Sequence, residues 1–502
     1  MSVTTTGPLP DEVHDVAIIG AGVVGAAIAR ELARYRLRIA VVEASDDIGN
    51  GTSKANTAIL HTGFDATPGT LEAGLVRDGH RRLTGYAAEV GIPVERLGAL
   101  LVAWDDEQLA ALPALAAKAG RNGCHDTRLI GAEELRRREP HLGPGALGAL
   151  DVPGESIICP WTTTLAYATQ AVRSGAGLHL NCRVDTVTTG PAGHQELGTT
   201  RGVLRTRHLV NAAGLHADDV DRMCGHDDFT VTPRRGQLMV FDTFARALVD
   251  HILLPVPTER GKGVLVTPTV YGNVLLGPTA EDLDDKTATG TSSDGLAFLR
   301  ERGARILPAL LDEEITAVYA GLRAATGQED YRIRAHPGER RVTVGGIRST
   351  GLTASMAIAA HVVELLAATG LDPGTAHEPA PLRMPNIGEA FPRPYQRAEL
   401  IAADPEYGTL VCHCERVSRG EIRDALVSTV PPGSVAGLRR RTRAMSGRCQ
   451  GYHCGATVQA LFARGGGPGP GPAAPASPHS PGSPHSPHSP DSPDSPRTRT
   501  PS

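Results

Sequence analysis

The segment HDVAIIGAGVVGAAIARELARYRLRIAVVEAS, residues 14–45, constrains the fold of this chain more than any other stretch. The continuous apolar run at 16–19 predicts a parallel strand that is covered on both faces. GAGVVG then supplies a G-x-G-x-x-G turn at Gly20, Gly22 and Gly25, followed by a helix and a second strand. The segment therefore predicts a β–α–β unit of a Rossmann-like α/β domain.

Each glycine of this turn has its own physical reason. Gly20 permits the sharp turn, Gly22 lets a pyrophosphate approach the backbone, and Gly25 lets the helix pack close to the strand. Free N–H groups at the helix start then face the phosphates. Glu43 ends the second strand, where a carboxylate accepts hydrogen bonds from an adenosine ribose. The segment predicts a dinucleotide site, although the motif alone does not distinguish NAD from FAD.

Three further segments resemble the FAD-dependent oxidoreductases of the glycerol-3-phosphate dehydrogenase and D-amino-acid oxidase superfamily. They are GTSKANTAILHTGFDATPGTLEA (51–73), RHLVNAAGLHADDV (207–220) and VTVGGIRSTGLTASMAIAAHVVELL (342–366). The segments occur in the order expected for this superfamily, and the resemblance spans roughly residues 13–370. It implies FAD as the cofactor, bound by Gly20, Gly22, Gly25, Glu43, Thr52, Ser53, Val184, Ala213, Gly214, Gly346, Gly351, Leu352 and Thr353.

The resemblance also implies a catalytic histidine. His61 occupies the place of the loop histidine in the T-S-x7-H-x-G pattern of the glycerol-3-phosphate enzymes, which begins here at Thr52. Imidazole titrates near neutrality, which suits proton transfer from a substrate hydroxyl. His61 is therefore the candidate base, and the alternative is that it only contacts the flavin.

An anionic substrate needs fixed cationic donors, for which guanidinium groups are suited. Arg323 and Arg348 fall where arginines of this superfamily approach the substrate, and structural salt bridges are the alternative for both. Lys262 is a further catalytic candidate. Arg235 is a weaker one, on a segment that we expect to line the cavity.

One departure from the resemblance concerns the substrate. The glycerol-3-phosphate enzymes usually carry an arginine four residues after the motif histidine, and this chain has Asp65 there. The local pattern H-x-G-x4-P-G-T-L-x-A instead resembles the L-2-hydroxyglutarate oxidase branch. Glycerol 3-phosphate is the first expected substrate, an L-2-hydroxy acid such as 2-hydroxyglutarate the second, and an amino acid or opine the third.

Four of the eight cysteines lie within 43 residues, in VCHCERVSRGEI and GRCQGYHC. Their spacing is C-x-C-x34-C-x4-C, whereas zinc sites more often use C-x2-C loops. This arrangement resembles the bacterioferritin-associated-ferredoxin-like [2Fe–2S] module. The resemblance implies a [2Fe–2S] cluster, with zinc or free thiols as alternatives, and nearby arginines that offset its negative charge. The implied metal ligands are Cys412, Cys414, Cys449 and Cys454.

The predicted architecture combines these parts in one chain. A discontinuous α/β FAD-binding domain (13–80, 151–218 and 318–370) carries an inserted, mostly antiparallel α+β substrate domain (81–150 and 219–317). A linker (380–406), a [2Fe–2S] module of helices and loops (407–463) and a disordered Pro/Ser/Gly/His-rich tail (465–502) follow.

The predicted chemistry is that of a dehydrogenase. A flavin accepts two electrons together and a [2Fe–2S] cluster accepts one at a time, so we expect onward transfer to a quinone or a partner flavoprotein. The rival hypotheses are a redox-sensing flavin and iron–sulfur binding module without turnover, and an NAD-dependent enzyme.

The expected location follows from composition and from the N-terminal residues. Net charge is −5, so no nucleic-acid partner is expected. The first residues, MSVTTTGPLPDE, lack the features of a signal peptide. We expect a cytoplasmic, reducing location, with peripheral association at the inner face of the cell membrane as a possibility.

Overall fold

The structure is a computed structural model that describes residues 3–190, 193–257 and 263–465 of the 502-residue chain. Lys262 and nearly all of the predicted tail lie outside these residues. Twelve α-helices occur in the described ranges: α1 Val23–Leu32, α2 Leu71–Val90, α3 Asp106–Arg121, α4 Ala132–Arg138, α5 Pro160–Arg173, α6 Ala217–Met223, α7 Ser293–Ile306, α8 Gly351–Ala368, α9 Ala398–Ala403, α10 Arg419–Leu426, α11 Val435–Thr442 and α12 Gly455–Arg464.

The same residues form 23 strands in four sheets. They are β1 Val3–Thr4, β2 Val13–Ile19, β3 Ile39–Val42, β4 Ile59–Leu60, β5 Val94–Glu95, β6 Ala99–Ala103, β7 Arg128–Gly131, β8 Gly148–Val152, β9 Ser156–Ile158, β10 Gly177–His179, β11 Val184–Thr189, β12 Gln195–Thr199, β13 Gly202–Asn211, β14 Thr232–Phe241, β15 Ile252–Pro255, β16 Leu265–Pro268, β17 Val274–Gly277, β18 Glu281–Asp282, β19 Ile315–Ala325, β20 Arg332–His336, β21 Arg341–Gly345, β22 Leu410–Cys412 and β23 Val417–Ser418.

The first large sheet contains the predicted β–α–β unit. Strands β1, β10, β3, β2, β13 and β21 lie side by side and run parallel, and the antiparallel strands β12, β11 and β20 extend it. Ile19 is level with Val42 on β3 and with Asn211 on β13. The carboxyl ends of these strands therefore meet at one edge, where ligands bind in open parallel sheets.

The second large sheet is antiparallel apart from the β6–β15 pair. Strand β19 pairs along its length with β14, from Ile315 opposite Phe241 to Ala325 opposite Thr232. The structure differs here from the expected boundary at residue 318, which would divide β19 between two domains. Strand pairing between distant segments decides this boundary, and local sequence does not carry that information.

Helices α1, α2, α5 and α8 form the layer that covers the first sheet. Residues 81–90, expected in the substrate domain, are the second half of α2, which packs on α8. Helix α8 is long and apolar enough to span a bilayer, with a mean hydropathy of 1.6 over 18 residues, but 56% of that window is buried inside the protein. Within the described ranges no other helix meets this length and composition test.

The predicted linker is held against the rest of the protein by backbone hydrogen bonds. Met384 N–H donates to the carbonyl of Val90, and Glu389 N–H donates to that of Val270. It contains the short helix α9 and leads into the cysteine module, which consists of the β22–β23 hairpin and helices α10 to α12. Ser418 and Glu421 form the capping box of α10 that their spacing predicts.

Candidate active site and cysteine centre

A cavity of about 1070 Å³, part of it open to solvent, lies between the two large sheets. One wall follows the carboxyl ends of β2, β13 and β21, and the other is formed by β14 and β19. The lining includes Gly22, Val23, Gly25, Thr52, Ser53, Asn56, His61, Ala212, Gly214, Gly236, Leu238, Gly321, Arg323, Ile347, Arg348, Gly351 and Leu352. The three segments that carry the family resemblance therefore converge on one site.

The glycine turn between β2 and α1 has the close packing that its sequence predicts. Gly20 has φ +100°, and a Cβ there would lie 2.5 Å from the carbonyl oxygen of Ala212. A Cβ on Gly25 would lie 2.0 Å from the carbonyl oxygen of Gly20. Side chains at these positions would separate α1 from the sheet, so glycine is required for the helix to begin at the cavity wall.

The start of α1 fits the pyrophosphate and ribose of a dinucleotide. Gly22 precedes the helix and has no side chain to cap it, and Val23 N–H donates to Ser53 Oγ at 2.9 Å. The Glu43 carboxylate accepts hydrogen bonds from Ala21 N–H at 2.7 Å and from Ser45 N–H at 2.9 Å. These bonds fix its orientation, and its remaining lone pairs suit ribose hydroxyls.

His61 forms a close pair with a buried carboxylate. Its Nδ1 lies 2.9 Å from Glu155 Oε2, and Glu155 is fully buried. The other Glu155 oxygen accepts from Thr62 N–H at 2.6 Å and from the Thr62 hydroxyl at 2.8 Å. Because a carboxylate accepts hydrogen bonds, the neutral ring carries its proton on Nδ1 and its lone pair on Nε2. This arrangement suits a base that lines the cavity.

Arg323 presents a half-buried cation to the same cavity. Its guanidinium donates to the carbonyl of Thr279 at 2.6 Å and makes 3.5 Å contacts with the carbonyls of Arg234 and Arg235. Within the described ranges it forms no ion pair with a carboxylate. Burial, reinforced by the charge of Arg234, lowers the pKa of Arg323 to about 10. The group stays charged at neutral pH and suits an anionic ligand.

The other predicted cations differ from Arg323. Arg348 lines the cavity but is paired with Glu72, with 2.5 Å between Arg348 Nη2 and Glu72 Oε2. Arg235 lies outside the cavity lining and is paired with Glu281 at 2.6 Å. Lys262 is outside the described residues. The structural salt bridge that was the alternative for Arg348 is present.

The remaining predicted cofactor residues fall into two groups. Thr353 lies at the start of α8, where its hydroxyl accepts a hydrogen bond from His61 N–H at 3.0 Å. Ala213 lies between two lining residues, and its N–H donates to Asn211 Oδ1 at 3.2 Å. Val184 on β11 belongs to a small apolar cluster, and Gly346 precedes the lining segment; neither lines the cavity. Their cofactor contacts stay predictions.

The four predicted ligand cysteines lie in one module and interact in two pairs. Direct contacts join the thiols of Cys412 and Cys454 and those of Cys414 and Cys449. Among the described residues no three of these sulfur atoms lie within 4.8 Å of one another. A single zinc ion, with Zn–S bonds of about 2.3 Å, would draw all four together. The four thiols suit a [2Fe–2S] cluster, which takes four cysteine ligands.

The electrostatics of the thiols differ with their surroundings. Burial raises the pKa of the Cys454 thiol to about 12. Backbone hydrogen bonds, led by that of His453, lower the pKa of Cys449. Cys412 is buried and Cys414 is exposed. The centre therefore has one edge at the protein surface.

The arginines near the cysteines bind carboxylates and thereby attach the module to the rest of the protein. Arg440 and Arg441 pair with the fully buried Asp47, which follows β3. Arg448 pairs with Asp242 at 2.9 Å. The expectation that these arginines mainly offset cluster charge misses this role, which depends on partners about 200 to 400 residues distant in the sequence.

A pair of aromatic rings lies between the cavity wall and the cysteine module. Trp161 and Tyr271 stack with ring centroids 5.2 Å apart, and the Trp161 indole N–H donates to the carbonyl of Lys54 at 3.1 Å. On the other side, the Arg443 guanidinium lies 4.2 Å from the Tyr271 centroid and donates to Glu415 at 2.9 Å. Contacts therefore run continuously from the loop beside Ser53 to the residue after Cys414.

Glu155, Asp47 and the Trp161–Tyr271 pair were not predicted. Glu155 stands in the sequence DVPGESII, where a surface turn is the simplest interpretation. Its PGE turn between two apolar runs places a carboxylate at the end of β8, and only the pairing of β9 with β4 brings it to His61. The local sequence contains no signal of that pairing.

Comparison with known proteins agrees with this geometry. The FAD dependent oxidoreductase (DAO) family model matches residues 15–365, and the BFD-like [2Fe-2S] binding domain model matches residues 410–464. The glycerol 3-phosphate dehydrogenase of Caloramator mitchellensis is 37% identical over 453 residues, which cover 90% of this chain and 94% of that protein.

Two further relatives bear on the cavity. The solved structure of dithionite-reduced L-α-glycerophosphate oxidase from Mycoplasma pneumoniae, with FAD bound, superposes with a TM-score of 0.68 and 30% identity, covering 73% of this chain and 96% of that one. The mitochondrial L-2-hydroxyglutarate dehydrogenase of Caenorhabditis elegans is 29% identical over 276 residues, which cover 53% of this chain and 63% of that protein.

Proposed function

Because this chain belongs to the FAD dependent oxidoreductase family and carries a BFD-like [2Fe-2S] binding domain, we propose that it oxidises glycerol 3-phosphate to dihydroxyacetone phosphate and releases the electrons singly. It uses FAD and a [2Fe–2S] cluster as cofactors. The substrate proposal is supported by the relatives that are named for this compound. The family match and the relatives do not support the rival hypotheses of an NAD-dependent enzyme and of a redox-sensing module without turnover.

One structural observation carries the substrate proposal. The cavity combines a half-buried guanidinium, Arg323, with a carboxylate-oriented imidazole, His61. A small substrate that has an anionic group at one end and a secondary hydroxyl near it matches these two groups. Glycerol 3-phosphate has that arrangement, with a phosphate for Arg323 and a hydroxyl for His61.

The chain's own groups have distinct tasks in this reaction. FAD, when bound, supplies the acceptor for the hydride that leaves the substrate carbon. His61 Nε2 accepts the proton of the substrate hydroxyl, and the Glu155 carboxylate stabilises the imidazolium that this transfer produces. Arg323 holds the phosphate, which fixes the reacting carbon relative to His61. Gly20, Gly22, Gly25, Glu43 and Ser53 hold the dinucleotide end of the cofactor.

The cysteine module provides for electron transfer from the flavin site to an external acceptor. Cys412, Cys414, Cys449 and Cys454 would hold a [2Fe–2S] cluster, which would supply one-electron transfer. The Trp161–Tyr271 pair and Arg443 join the cavity wall to this module through direct contacts. Cys414 is exposed, so we infer that the acceptor, a quinone or a partner flavoprotein, binds at that edge. A cytoplasmic enzyme that docks at the inner membrane face would meet either acceptor.

An L-2-hydroxy acid such as 2-hydroxyglutarate is the second candidate substrate. Asp65 stands where the glycerol-3-phosphate enzymes usually have arginine, and L-2-hydroxyglutarate dehydrogenases are among the relatives. A carboxylate also fits the Arg323 guanidinium. An amino acid or opine is the third candidate.

Anaerobic reduction of the bound flavin separates these substrates. The purified protein is mixed in turn with glycerol 3-phosphate, L-2-hydroxyglutarate and a set of amino acids, and flavin absorption is followed in a stopped-flow instrument. The proposal requires rapid bleaching with glycerol 3-phosphate and slow or no bleaching with the others. If L-2-hydroxyglutarate bleaches the flavin faster than glycerol 3-phosphate does, the second candidate is the substrate.

A further inference from the structure

Three potential metal ligands meet far along the chain from the cysteine module. His226 follows α6, His336 ends β20, and Glu339 lies in the turn between β20 and β21. One ligand atom from each lies within 4.8 Å of the other two. His226 Nε2 is 2.7 Å from Glu339 Oε1, and the two imidazole centroids are 4.6 Å apart. None of the three lines the cavity between the sheets.

A hydrogen-bond chain fixes the tautomer of His336. The buried Thr343 hydroxyl donates to Asp221 Oδ1 at 2.7 Å, so its oxygen accepts from His336 Nε2 at 3.2 Å. His336 Nε2 therefore carries the proton, and the lone pair is on Nδ1. Metal-binding histidines commonly donate their second nitrogen to such an oriented partner, which raises ligand basicity.

The charges around the three side chains tolerate an additional cation. Glu339 Oε2 lies 2.9 Å from the buried Arg341 guanidinium, which leaves Oε1 directed toward His226. Arg341 opposes a cation, whereas the carboxylates of Glu339 and the buried Asp221 favour one. Arg334 is paired with Asp228 and adds no net charge. The formal charges of the two arginines (Arg334 and Arg341) and the three carboxylates (Asp221, Asp228 and Glu339) therefore sum to −1.

We propose that His226, His336 and Glu339 form a binding site for a divalent transition-metal cation, best matched by Zn²⁺. Two imidazoles and one carboxylate suit zinc, with bonds of about 2.0 to 2.2 Å, and disfavour magnesium or calcium, which prefer oxygen ligands. The fourth position is filled by water because the three side chains are only half buried. None of the residues to which we assign a role in the oxidation of the substrate belongs to this metal site.

The cation would join two segments that flank the cofactor cavity. It links the β20–β21 hairpin to the loop after α6. Asp221 also accepts from Asn211 Nδ2 at 3.0 Å, and Asn211 Oδ1 accepts from the N–H of Ala213, beside the lining residues Ala212 and Gly214. The site therefore has a structural role, in which it stabilises the turn at the end of β13.

Zinc binding by the complete, cofactor-loaded protein tests this proposal. The wild type, Glu339→Gln and His226→Asn are dialysed against ZnCl₂, and bound zinc is counted per chain. The matched control is His194→Asn, because His194 also pairs with a glutamate, Glu196, but no second histidine in the described part of the chain completes a group of three ligands there. Tail histidines and cysteine thiols are present in every sample, so they affect all counts equally.

The site variants should each lose about one tightly bound zinc relative to the wild type, and the control should lose none. Equal counts in all four proteins would overturn the proposal. Should a variant fold poorly, anomalous diffraction at the zinc edge from wild-type crystals decides the question. A peak between the three side chains supports the site, whereas no peak there after zinc soaking contradicts it.

Discussion

Asp47 and Arg441 form a buried two-point ion pair that ties the cysteine module to the nucleotide-binding loop. Arg441 Nη1 is 2.7 Å from Asp47 Oδ2, and Nη2 is 2.8 Å from Oδ1. Asp47 is fully buried and lies between Glu43 and the Thr52–Ser53 segment. The ion pair therefore holds both the cysteine module and the nucleotide-binding loop in place, so loss of either partner affects both.

Removing one partner of this pair should loosen both sites. Asp47→Asn leaves the Arg441 charge buried without its partner, which costs about 3 to 5 kcal/mol in comparable pairs. We expect a lower Tm and faster release of FAD, followed by flavin fluorescence during heating. The matched control is Glu399→Gln, which removes an exposed partner of Arg397 and should leave stability nearly unchanged. Equal effects of the two substitutions would contradict the assignment.

The anion-binding role of Arg323 predicts a substrate-specific defect. Arg323→Met removes the guanidinium and retains much of the side-chain volume. Because a charged hydrogen bond to the phosphate is lost, kcat/KM for glycerol 3-phosphate should fall about thirtyfold or more, equivalent to about 2 kcal/mol. The control is Arg235→Met, since Arg235 is paired with Glu281 outside the cavity. A fall of similar size in the control would show that general destabilisation is the cause.

The His61–Glu155 pair predicts a graded loss of flavin reduction. His61→Ala removes the base and should slow anaerobic flavin reduction by roughly 10²-fold or more. Glu155→Gln retains the shape but removes the charge that stabilises the imidazolium, so we expect a smaller loss. Stopped-flow bleaching with glycerol 3-phosphate measures both. If His61→Ala is reduced at the wild-type rate, His61 only contacts the flavin.

The cysteine module predicts a separation of the two half-reactions. Cys414→Ser should lower iron and acid-labile sulfide content and abolish transfer to one-electron acceptors, while substrate still bleaches the flavin. Cys224→Ser is the control, because Cys224 lies outside the module and is only half buried. If the Cys414 variant kept full iron content, the ligand assignment would be wrong.

The buried His179 predicts part of the pH dependence of stability. Burial, followed by the charges of Arg201 and His14, lowers its pKa to about 4 from 6.5. The unfolded chain therefore binds a proton more readily than the folded chain between pH 6.5 and about 4, so stability falls as pH falls through this window. At pH 5 the neutral, buried His179 lowers the free energy of unfolding by about 2 kcal/mol relative to neutral pH. The Tm of His179→Gln should accordingly drop less than that of the wild type between pH 7.5 and 5.0. An identical drop would contradict this account.

Local sequence predicted the features whose physical cause is local. The close packing at Gly20 and Gly25 follows from the turn itself, and the capping box of Ser418 and Glu421 follows from their spacing. The family resemblance placed Ser53, His61 and Arg323 around one site, and all three line the same cavity.

Features that depend on contacts between distant segments were not predictable from local sequence. Glu155 reaches His61 across 94 residues through strand pairing, and Asp47 reaches Arg441 across 394. The position of β19 in the second sheet has the same cause. In each case the neighbouring sequence does not reveal the residue's role, because the partner comes from a distant segment that the fold brings close.

The central claim is that one chain collects electrons in pairs at a flavin and releases them singly through an iron–sulfur cluster. Its most direct test is anaerobic titration of the purified protein with glycerol 3-phosphate, followed by visible absorption and by electron paramagnetic resonance. The account predicts flavin bleaching together with the signal of a reduced [2Fe–2S] cluster, and loss of that signal alone in Cys414→Ser. Bleaching without any cluster signal in the wild type, or no bleaching with any candidate substrate, would contradict it.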